Sequence, residues 1–111
     1  MKEIILSNDP YQSHILAYED KKIEIIVRYL ITVSMWYLDV LIDDVALIKG
    51  IAMGCGTVIL NQNNTPFGFY LVDNSTLGID PFRLEDFSEG RVSFLLLERV
   101  DMEKYRGYDV R

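Results

Sequence analysis

Four carboxylates lie close together in the stretch DNSTLGIDPFRLEDF, residues 73–87: Asp73, Asp80, Glu85 and Asp86. Groups of this type bind calcium, act in pairs as acid and base, or cap turns. An EF-hand loop beginning at Asp73 would need oxygen ligands at its fifth and twelfth positions, where the sequence has Leu77 and Leu84. We therefore predict no calcium site, and an acid–base pair would need a cleft that the sequence alone does not reveal.

The second possible chemistry depends on His14 and Cys55, which are the only histidine and the only cysteine. They are the only candidates for the base and nucleophile of a small hydrolase. A cysteine between two glycines, with no catalytic signature around it, is more typical of a packed thiol. A tetrahedral zinc site would lack two ligands, and the GCG stretch lacks the lysine of a phosphate-binding loop. The sequence therefore predicts no enzyme, metal or other cofactor, and the hydrolase is the weakest alternative.

Two neighbouring aromatic residues, Trp36 and Tyr37, could line a sugar-binding surface. The alternation of the sequence places Trp36 on the inner face of a strand with Leu38 and Val40, which favours a core position. Tyr37 would lie on the opposite face and could contact a ligand. A small β domain that binds carbohydrate or another ligand through Tyr37 and the 73–86 region is therefore the main alternative function.

Composition excludes other classes of protein. With 111 residues, of which 50% are hydrophobic, the chain is predicted to form one folded domain. Its net charge of −6 argues against nucleic acid as a partner. The apolar stretch 23–42 contains Glu24, Arg28 and Asp39, so we predict no membrane span. The first residues lack the features of a signal peptide, and a single cysteine fits folding in a reducing cytoplasm.

The elements that must position these side chains are predicted to be strands. Apolar and polar residues alternate over residues 23–33 and again over 36–42, which predicts a hairpin that bends near residues 32–35. Further strands are predicted in these stretches: KEIILS, SHILAYE, ALIKGIAM, TVILNQ, FGFYLVD and RVSFLLLER. The predicted fold is all-β and mainly antiparallel, a small β-sandwich or barrel of about seven to nine short strands.

At most one short helix is predicted, near residues 81–88. Pro81 suits the first helical position after an Asp80 cap, and Gly90 would end the helix. Residues 1–100 are predicted to form a single β domain, and residues 101–111 a C-terminal tail with too little apolar content for a core of its own.

The order of several short motifs resembles the baseplate plug proteins of contractile-tailed bacteriophages. The motifs are NDPYQ (8–12), WYLDV (36–40), LIKGIAM (47–53), FGFYLVDN (67–74) and DPFRLEDF (80–87). The resemblance implies a non-enzymatic structural component of the virion, assembled in the host cytoplasm. It also implies a position in the central baseplate, contacts with hub and tail-tube initiator proteins, and copies of itself in a symmetric ring or trimer.

Within this interpretation, the contact residues are expected in two segments. Arginine and aromatic side chains dominate interface energies, and both types occur in DPFRLEDF and in the tail. The predicted contact residues are Phe82, Arg83, Phe87, Tyr105 and Tyr108.

Overall fold

The computed structural model describes residues 1–61, 63 and 65–107, with side chains as far as Tyr105. Its elements, in chain order, are β1 (Lys2–Ile4), β2 (Tyr11–Tyr18), β3 (Lys21–Leu30), β4 (Met35–Ile42), β5 (Val45–Ala52), β6 (Gly68–Asp73), β7 (Val92–Leu97) and α1 (Arg99–Gly107). The strands form a four-stranded sheet in the order β2-β3-β4-β5 and a three-stranded sheet in the order β1-β7-β6. Among the described residues, no helix is long and apolar enough to cross a membrane.

The four-stranded sheet is a meander, and acidic residues form two of its three turns. Glu19 and Asp20 join β2 to β3 with φ angles of 51° and 66°, and Asp43 and Asp44 join β4 to β5 with 48° and 70°. Two residues with positive φ match the right-handed twist of a hairpin, and aspartate tolerates this conformation better than most residues. Four of the seventeen acidic residues therefore serve to form tight turns.

The core lies between the two sheets and follows from the alternation of the sequence. Ile23, Ile25 and Val27 of β3 are fully buried, and they belong to the same hydrophobic cluster as Phe69 and Phe94 of the other sheet. The rings of Phe69 and Phe94 stack with their centroids 5.3 Å apart. These faces close the structure as a sandwich of antiparallel sheets, and the predicted fold class is confirmed with seven strands.

Two strand predictions differ from the structure in detail. Alternation in the sequence continues to Val33, but β3 ends at Leu30, and residues 31–34 form the turn to β4. In the segment TVILNQ, the described residues 57–61 form no regular strand, and of these Ile59 makes an isolated bridge to Phe69 of β6. Both segments do contain the apolar residues that led to the strand predictions. The backbone there nevertheless has too few neighbouring strands with which to continue a hydrogen-bonded ladder.

The predicted location of the helix is wrong. Residues around 81–90 form successive turns, and the one hydrogen bond of α-helical spacing that this segment makes joins Glu89 N to Glu85 O at 2.8 Å. The backbone N–H groups of Phe82 and Arg83 bind the side chain of Asp86 instead. The loop is therefore organised around a buried carboxylate and not around a backbone ladder.

The helix lies at the end of the described chain, as α1. Its start is capped by Asp101, whose carboxylate accepts a hydrogen bond from Glu98 N at 3.0 Å. Met102 is 1% exposed and packs in a small cluster with Val58 and Leu97. The division into a domain of residues 1–100 and a tail of residues 101–111 stays a prediction. Helix α1 runs across the predicted boundary at residue 100.

Candidate functional site

The acidic segment that follows β6 begins with Asp73, whose carboxylate folds the chain back on itself. Its Oδ1 accepts hydrogen bonds from Ser75 Oγ at 2.6 Å and Ser75 N at 2.9 Å, and its Oδ2 accepts one from Ile79 N at 2.8 Å. The Ser75 hydroxyl is the main cause that lowers the pKa of Asp73 to about 2. Both carboxylate oxygens of Asp73, the first ligand that a calcium loop would need, therefore bind groups of the protein itself.

Asp86 is the most buried carboxylate of the segment, with no exposed surface. Its Oδ2 accepts hydrogen bonds from Phe82 N and Arg83 N, both at 2.8 Å, and its Oδ1 accepts one from Arg83 Nε at 3.0 Å. Burial by itself would raise the pKa of Asp86, but the hydrogen bonds from Arg91 and the backbone hold this pKa well below its ordinary value. The carboxylate is thus ionised and satisfied, which is the opposite of a poised catalytic acid.

Arg91 supplies the positive charge at the centre of this segment. It forms a two-pronged pair with Asp86, through Nε to Oδ1 and Nη2 to Oδ2, each at 2.9 Å. It also donates to the carbonyl oxygens of Ile79 and Asp80 at 3.0 Å, and lies 3.1 Å from the Asp73 carboxylate. The guanidinium therefore joins both ends of the loop, and the acidic stretch is a shaped structural loop.

The β3–β4 hairpin holds the same loop from the other side. The hydroxyl of Tyr29 donates to Phe82 O at 2.9 Å, and Trp36 Nε1 donates to Arg83 O at 3.1 Å. The buried ring of Phe87 packs edge-on against Trp36, with the centroids 5.2 Å apart. The loop that carries Phe82 and Arg83 is therefore anchored to β3 and β4, although it is far from them in sequence.

A groove of about 640 Å³ opens between the hairpin and the loop. Its walls include Tyr29 and Ile31 on the hairpin, and Phe82 and Leu84 on the loop. Ile31 is 78% exposed and Phe82 is 46% exposed, so the groove continues onto an apolar outer surface. We call the residues Leu30–Met35 together with Phe82 and Arg83 the hairpin-tip surface.

Comparison with known proteins identifies the family. A family model described as the cyanophage baseplate Pam3 plug gp18 matches residues 1–99. The chain belongs to this family of phage baseplate plug proteins. The resemblance proposed from the sequence is thus confirmed, and the family is a structural component of the phage tail baseplate. No curated protein matches the chain.

The predicted contact residues of this plug-family protein fall into three groups. Phe82, Arg83 and Tyr105 are about half exposed. Phe87 is only 8% exposed, so its ring supports the loop from beneath and offers little surface to a partner. Tyr108 lies outside the described residues.

The residues of the alternative functions have other roles in the structure. A ring nitrogen of His14 lies 2.9 Å from Gln12 Oε1, whereas the Cys55 thiol donates to Ile79 O at 3.5 Å. Burial raises the pKa of Cys55 to about 11, which disfavours a thiolate nucleophile. The hydroxyl of Tyr37 contacts Met35 Sδ at 3.6 Å, so its contact is not with the acidic segment. None of these contacts assembles the sites that the alternatives require.

Two features of the site were missed at the level of the sequence. Arg91 lies just beyond the segment that drew attention, and nothing in its spacing marks it as the partner of Asp86. Ile31 and Val33 continue the odd-numbered apolar series of the strand predicted over residues 23–33, so nothing in the pattern marked them as exposed. The signal that could have identified the tip is the absence of any charged residue between Arg28 and Asp39, since a solvent-exposed hairpin turn usually carries polar residues.

Proposed function

We propose that the protein is a non-enzymatic structural component at the central hub of the baseplate, next to the start of the tail tube. In this proposal it is present in several symmetric copies and contacts a neighbouring baseplate protein through the hairpin-tip surface. Membership in the plug family supports the structural role, and the exposed apolar tip supports the choice of surface.

The observation that carries the proposal is the exposure of apolar side chains at the β3–β4 turn. Exposed fractions are 44% for Leu30, 78% for Ile31, 52% for Val33 and 38% for Met35. Single exposed apolar residues are common on protein surfaces, but a contiguous group marks an interaction site. The groove beside Phe82 extends this group, so a partner could bury both surfaces at once.

The rigidity of the surface favours tight association. Both hydrogen bonds from the hairpin to the loop, from Tyr29 and Trp36, hold the loop backbone in place before any partner arrives. A surface that is already ordered loses less conformational entropy on binding. The hairpin-tip surface is thus prepared for a partner by the fold itself.

Arg83 is the charged residue of this surface. Its side chain is 47% exposed, while its Nε binds Asp86 and its Nη2 lies 3.4 Å from the Glu89 carboxylate. The loop geometry does not depend on Arg83 alone, since Arg91 also binds Asp86. Arg83 can therefore contact a partner at the rim of the groove without being essential for the loop.

Tyr105 and Tyr108 remain proposed contacts at a second surface. Tyr105 lies on α1 and is 47% exposed. It lines an apolar groove of about 460 Å³ with Tyr70 and Leu95. A partner bound there would meet the aromatic end of α1.

The test is co-expression with the neighbouring tail proteins, followed by native mass spectrometry of the purified complexes. We expect the parent to form a stable complex with a hub or tail-tube protein. Ile31→Asn should reduce the yield of this complex by about tenfold, which corresponds to the loss of one good apolar anchor. Val45→Asn is the matched control. Val45 is also exposed, at 69%, but it lies beside the β4–β5 turn, at the opposite end of β4 from the hairpin-tip surface.

Arg83→Ala tests the loop side of the same surface. The isolated variant should melt within a few degrees of the parent while its complex is weakened. An Ile31→Asn protein that assembles as well as the Val45→Asn control would contradict the proposed surface, and an Arg83→Ala protein that unfolds would show that Arg83 has a mainly structural role.

A further inference from the structure

The four methionines of the chain differ sharply in exposure. Met53 and Met102 are 3% and 1% exposed, so their side chains lie in the core, whereas Met1 is 64% exposed and Met35 is 38% exposed. A dissolved oxidant attacks a thioether where the side chain is accessible to solvent. Of the two accessible methionines, Met35 belongs to the hairpin-tip surface, where a change of polarity would alter a proposed contact.

Met35 lies at the edge of the hairpin tip and faces outward. It is the first residue of β4 and pairs with Leu30 of β3 next to the turn. The next residue, Trp36, is fully buried, and successive side chains of a strand point to opposite faces of a sheet. Met35 therefore shares the outer face with Tyr37, whose hydroxyl donates a hydrogen bond to Met35 Sδ at 3.6 Å. This contact holds the thioether at the surface, beside the apolar residues of the turn.

The surroundings of Met35 are suited to an apolar side chain and not to a polar one. No charged residue lies between Arg28 and Asp39, and the neighbouring Leu30 and Ile31 are exposed apolar residues. Oxidation to the sulfoxide turns a flexible apolar side chain into a polar one. A partner that covers the surface would then separate the S=O group from water, and burial of a polar group without a hydrogen-bond partner is costly.

We propose that Met35 is an oxidation site, at which a hydroperoxide converts the thioether to the sulfoxide and thereby weakens association through the hairpin-tip surface. With hydrogen peroxide, the sulfur donates an electron pair to one oxygen and the O–O bond breaks. The departing hydroxide takes the proton of the transferred oxygen and leaves as water, so the sulfur is oxidised by two electrons and the peroxide is reduced.

This regulation rests on the hairpin-tip contact proposed above, and it acts on the free protein before a partner covers the surface. Methionine sulfoxide is reduced back by enzymes that are specific for each of its two epimers. The change at Met35 is therefore reversible, unlike a substitution.

The first test measures oxidation at each methionine. Isolated protein is treated with hydrogen peroxide, quenched with catalase, digested and analysed by peptide mass spectrometry. In the folded protein, Met35 should be oxidised at least about tenfold faster than Met53 and Met102, and in urea the three should react at similar rates. Equal rates at Met35 and Met53 in the folded protein would overturn the inference.

The second test measures association after oxidation. Treated protein, freed of peroxide, is mixed with the tail protein that forms a complex with the parent, and native mass spectrometry measures the affinity. Oxidation should weaken the parent about tenfold and Met35→Leu by less than about twofold. Met35→Leu is the matched control, because it keeps the apolar volume without an oxidisable sulfur, whereas Met1 is oxidised in both proteins. Reduction by both epimer-specific enzymes should restore the affinity of the parent.

Met35→Gln gives the same test without an oxidant. It places a polar side chain of similar length at the site and should weaken the complex about tenfold, while its melting temperature stays within a few degrees of the parent. An equal loss of affinity in oxidised parent and oxidised Met35→Leu would assign the effect to Met1 and overturn the inference.

The outcomes separate this regulation from the contact on which it rests. If Ile31→Asn weakens the complex but neither oxidation nor Met35→Gln does, the hairpin-tip contact stands and the role of Met35 is overturned. If neither Ile31→Asn nor Met35→Gln weakens the complex relative to Val45→Asn, the hairpin-tip contact is overturned together with its regulation.

Discussion

The guanidinium of Arg91 and the carboxylate of Asp86 form two parallel hydrogen bonds of 2.9 Å in the interior of the loop that joins β6 to β7. Arginine is suited to this geometry because its planar fork matches the two carboxylate oxygens. Four residues lie between the partners in sequence, and each partner also bonds to backbone groups within residues 79–83. This pair explains why an acidic segment that resembles a ligand site acts as a structural unit.

Removal of the cation from this pair should destabilise the protein strongly. Arg91→Met would leave Asp86 buried without its main partner, which typically costs about 3–5 kcal/mol. Arg91→Lys keeps the charge but cannot make both hydrogen bonds to Asp86. Its free energy of unfolding should therefore lie between those of the parent and Arg91→Met. Arg99→Met, at an exposed ion pair with Glu19, is the control and should have little effect. Urea unfolding measures all three, and equal stability of Arg91→Met and Arg99→Met would contradict the role of the pair.

The same carboxylates predict a loss of stability in acid. The pKa of Asp73 is lowered from its ordinary value of 3.8 to about 2 in the folded state, and the pKa of Asp86 is lowered as well. The unfolded state therefore binds protons first as pH falls. Their contribution is complete above about pH 5 and is lost as the pH falls through 3.8 towards 2. Urea unfolding across this range should show a steep decline for the parent and a shallower one for Asp86→Asn. Identical slopes would show that Asp86 does not contribute.

Gly68 at the start of β6 should not tolerate a side chain. An added Cβ would lie 2.8 Å from the backbone oxygen of Ile59 and 2.9 Å from Met102 Sδ. Because backbone cannot move aside cheaply, Gly68→Ala should cost about 1–3 kcal/mol. At Gly54 the nearest atom to an added Cβ, Asp80 Oδ1, is 3.5 Å away, so Gly54→Ala is the control. Thermal melting compares Gly68→Ala with Gly54→Ala. Similar melting temperatures would argue against close packing of Gly68 against the Ile59 backbone and Met102 of α1.

Cys55 should react slowly with thiol reagents. Its pKa rises from 9.0 to about 11, first because of burial and then because of the nearby carboxylates of Asp80 and Asp73. A shift of this size reduces the thiolate fraction near pH 8 by about a hundredfold. Iodoacetamide should therefore modify the folded protein far more slowly than the protein in urea. Equal rates of modification in the folded and unfolded protein would indicate a reactive thiol and would support the hydrolase alternative.

The variants Cys55→Ser and His14→Ala, made singly, should both assemble into the baseplate normally.

The sequence by itself determined the all-β, mainly antiparallel fold class and the family, and it left a sandwich and a barrel as alternatives. Alternation is a local property, because successive side chains of a strand point to opposite faces, so Ile23, Ile25 and Val27 could be assigned to the core without knowledge of their neighbours. The acidic residues of the turns and the order of the short motifs are also local features that can be identified directly in the sequence. These features needed no information about which distant residues meet.

Only the tertiary structure decided how the charges and surfaces are used. Whether residues 81–88 form a helix or a loop in which Asp86 binds Arg91 depends on the path of this segment over Tyr29 and Trp36, which are about fifty residues away. Ile31 has the same local pattern as the buried Ile25, but it is exposed because β3 ends before it. The outer edge of β2 is likewise open because, among the described residues, β3 is the only strand that pairs with β2. Burial and pairing depend on the whole path of the chain, and a local pattern cannot specify that path.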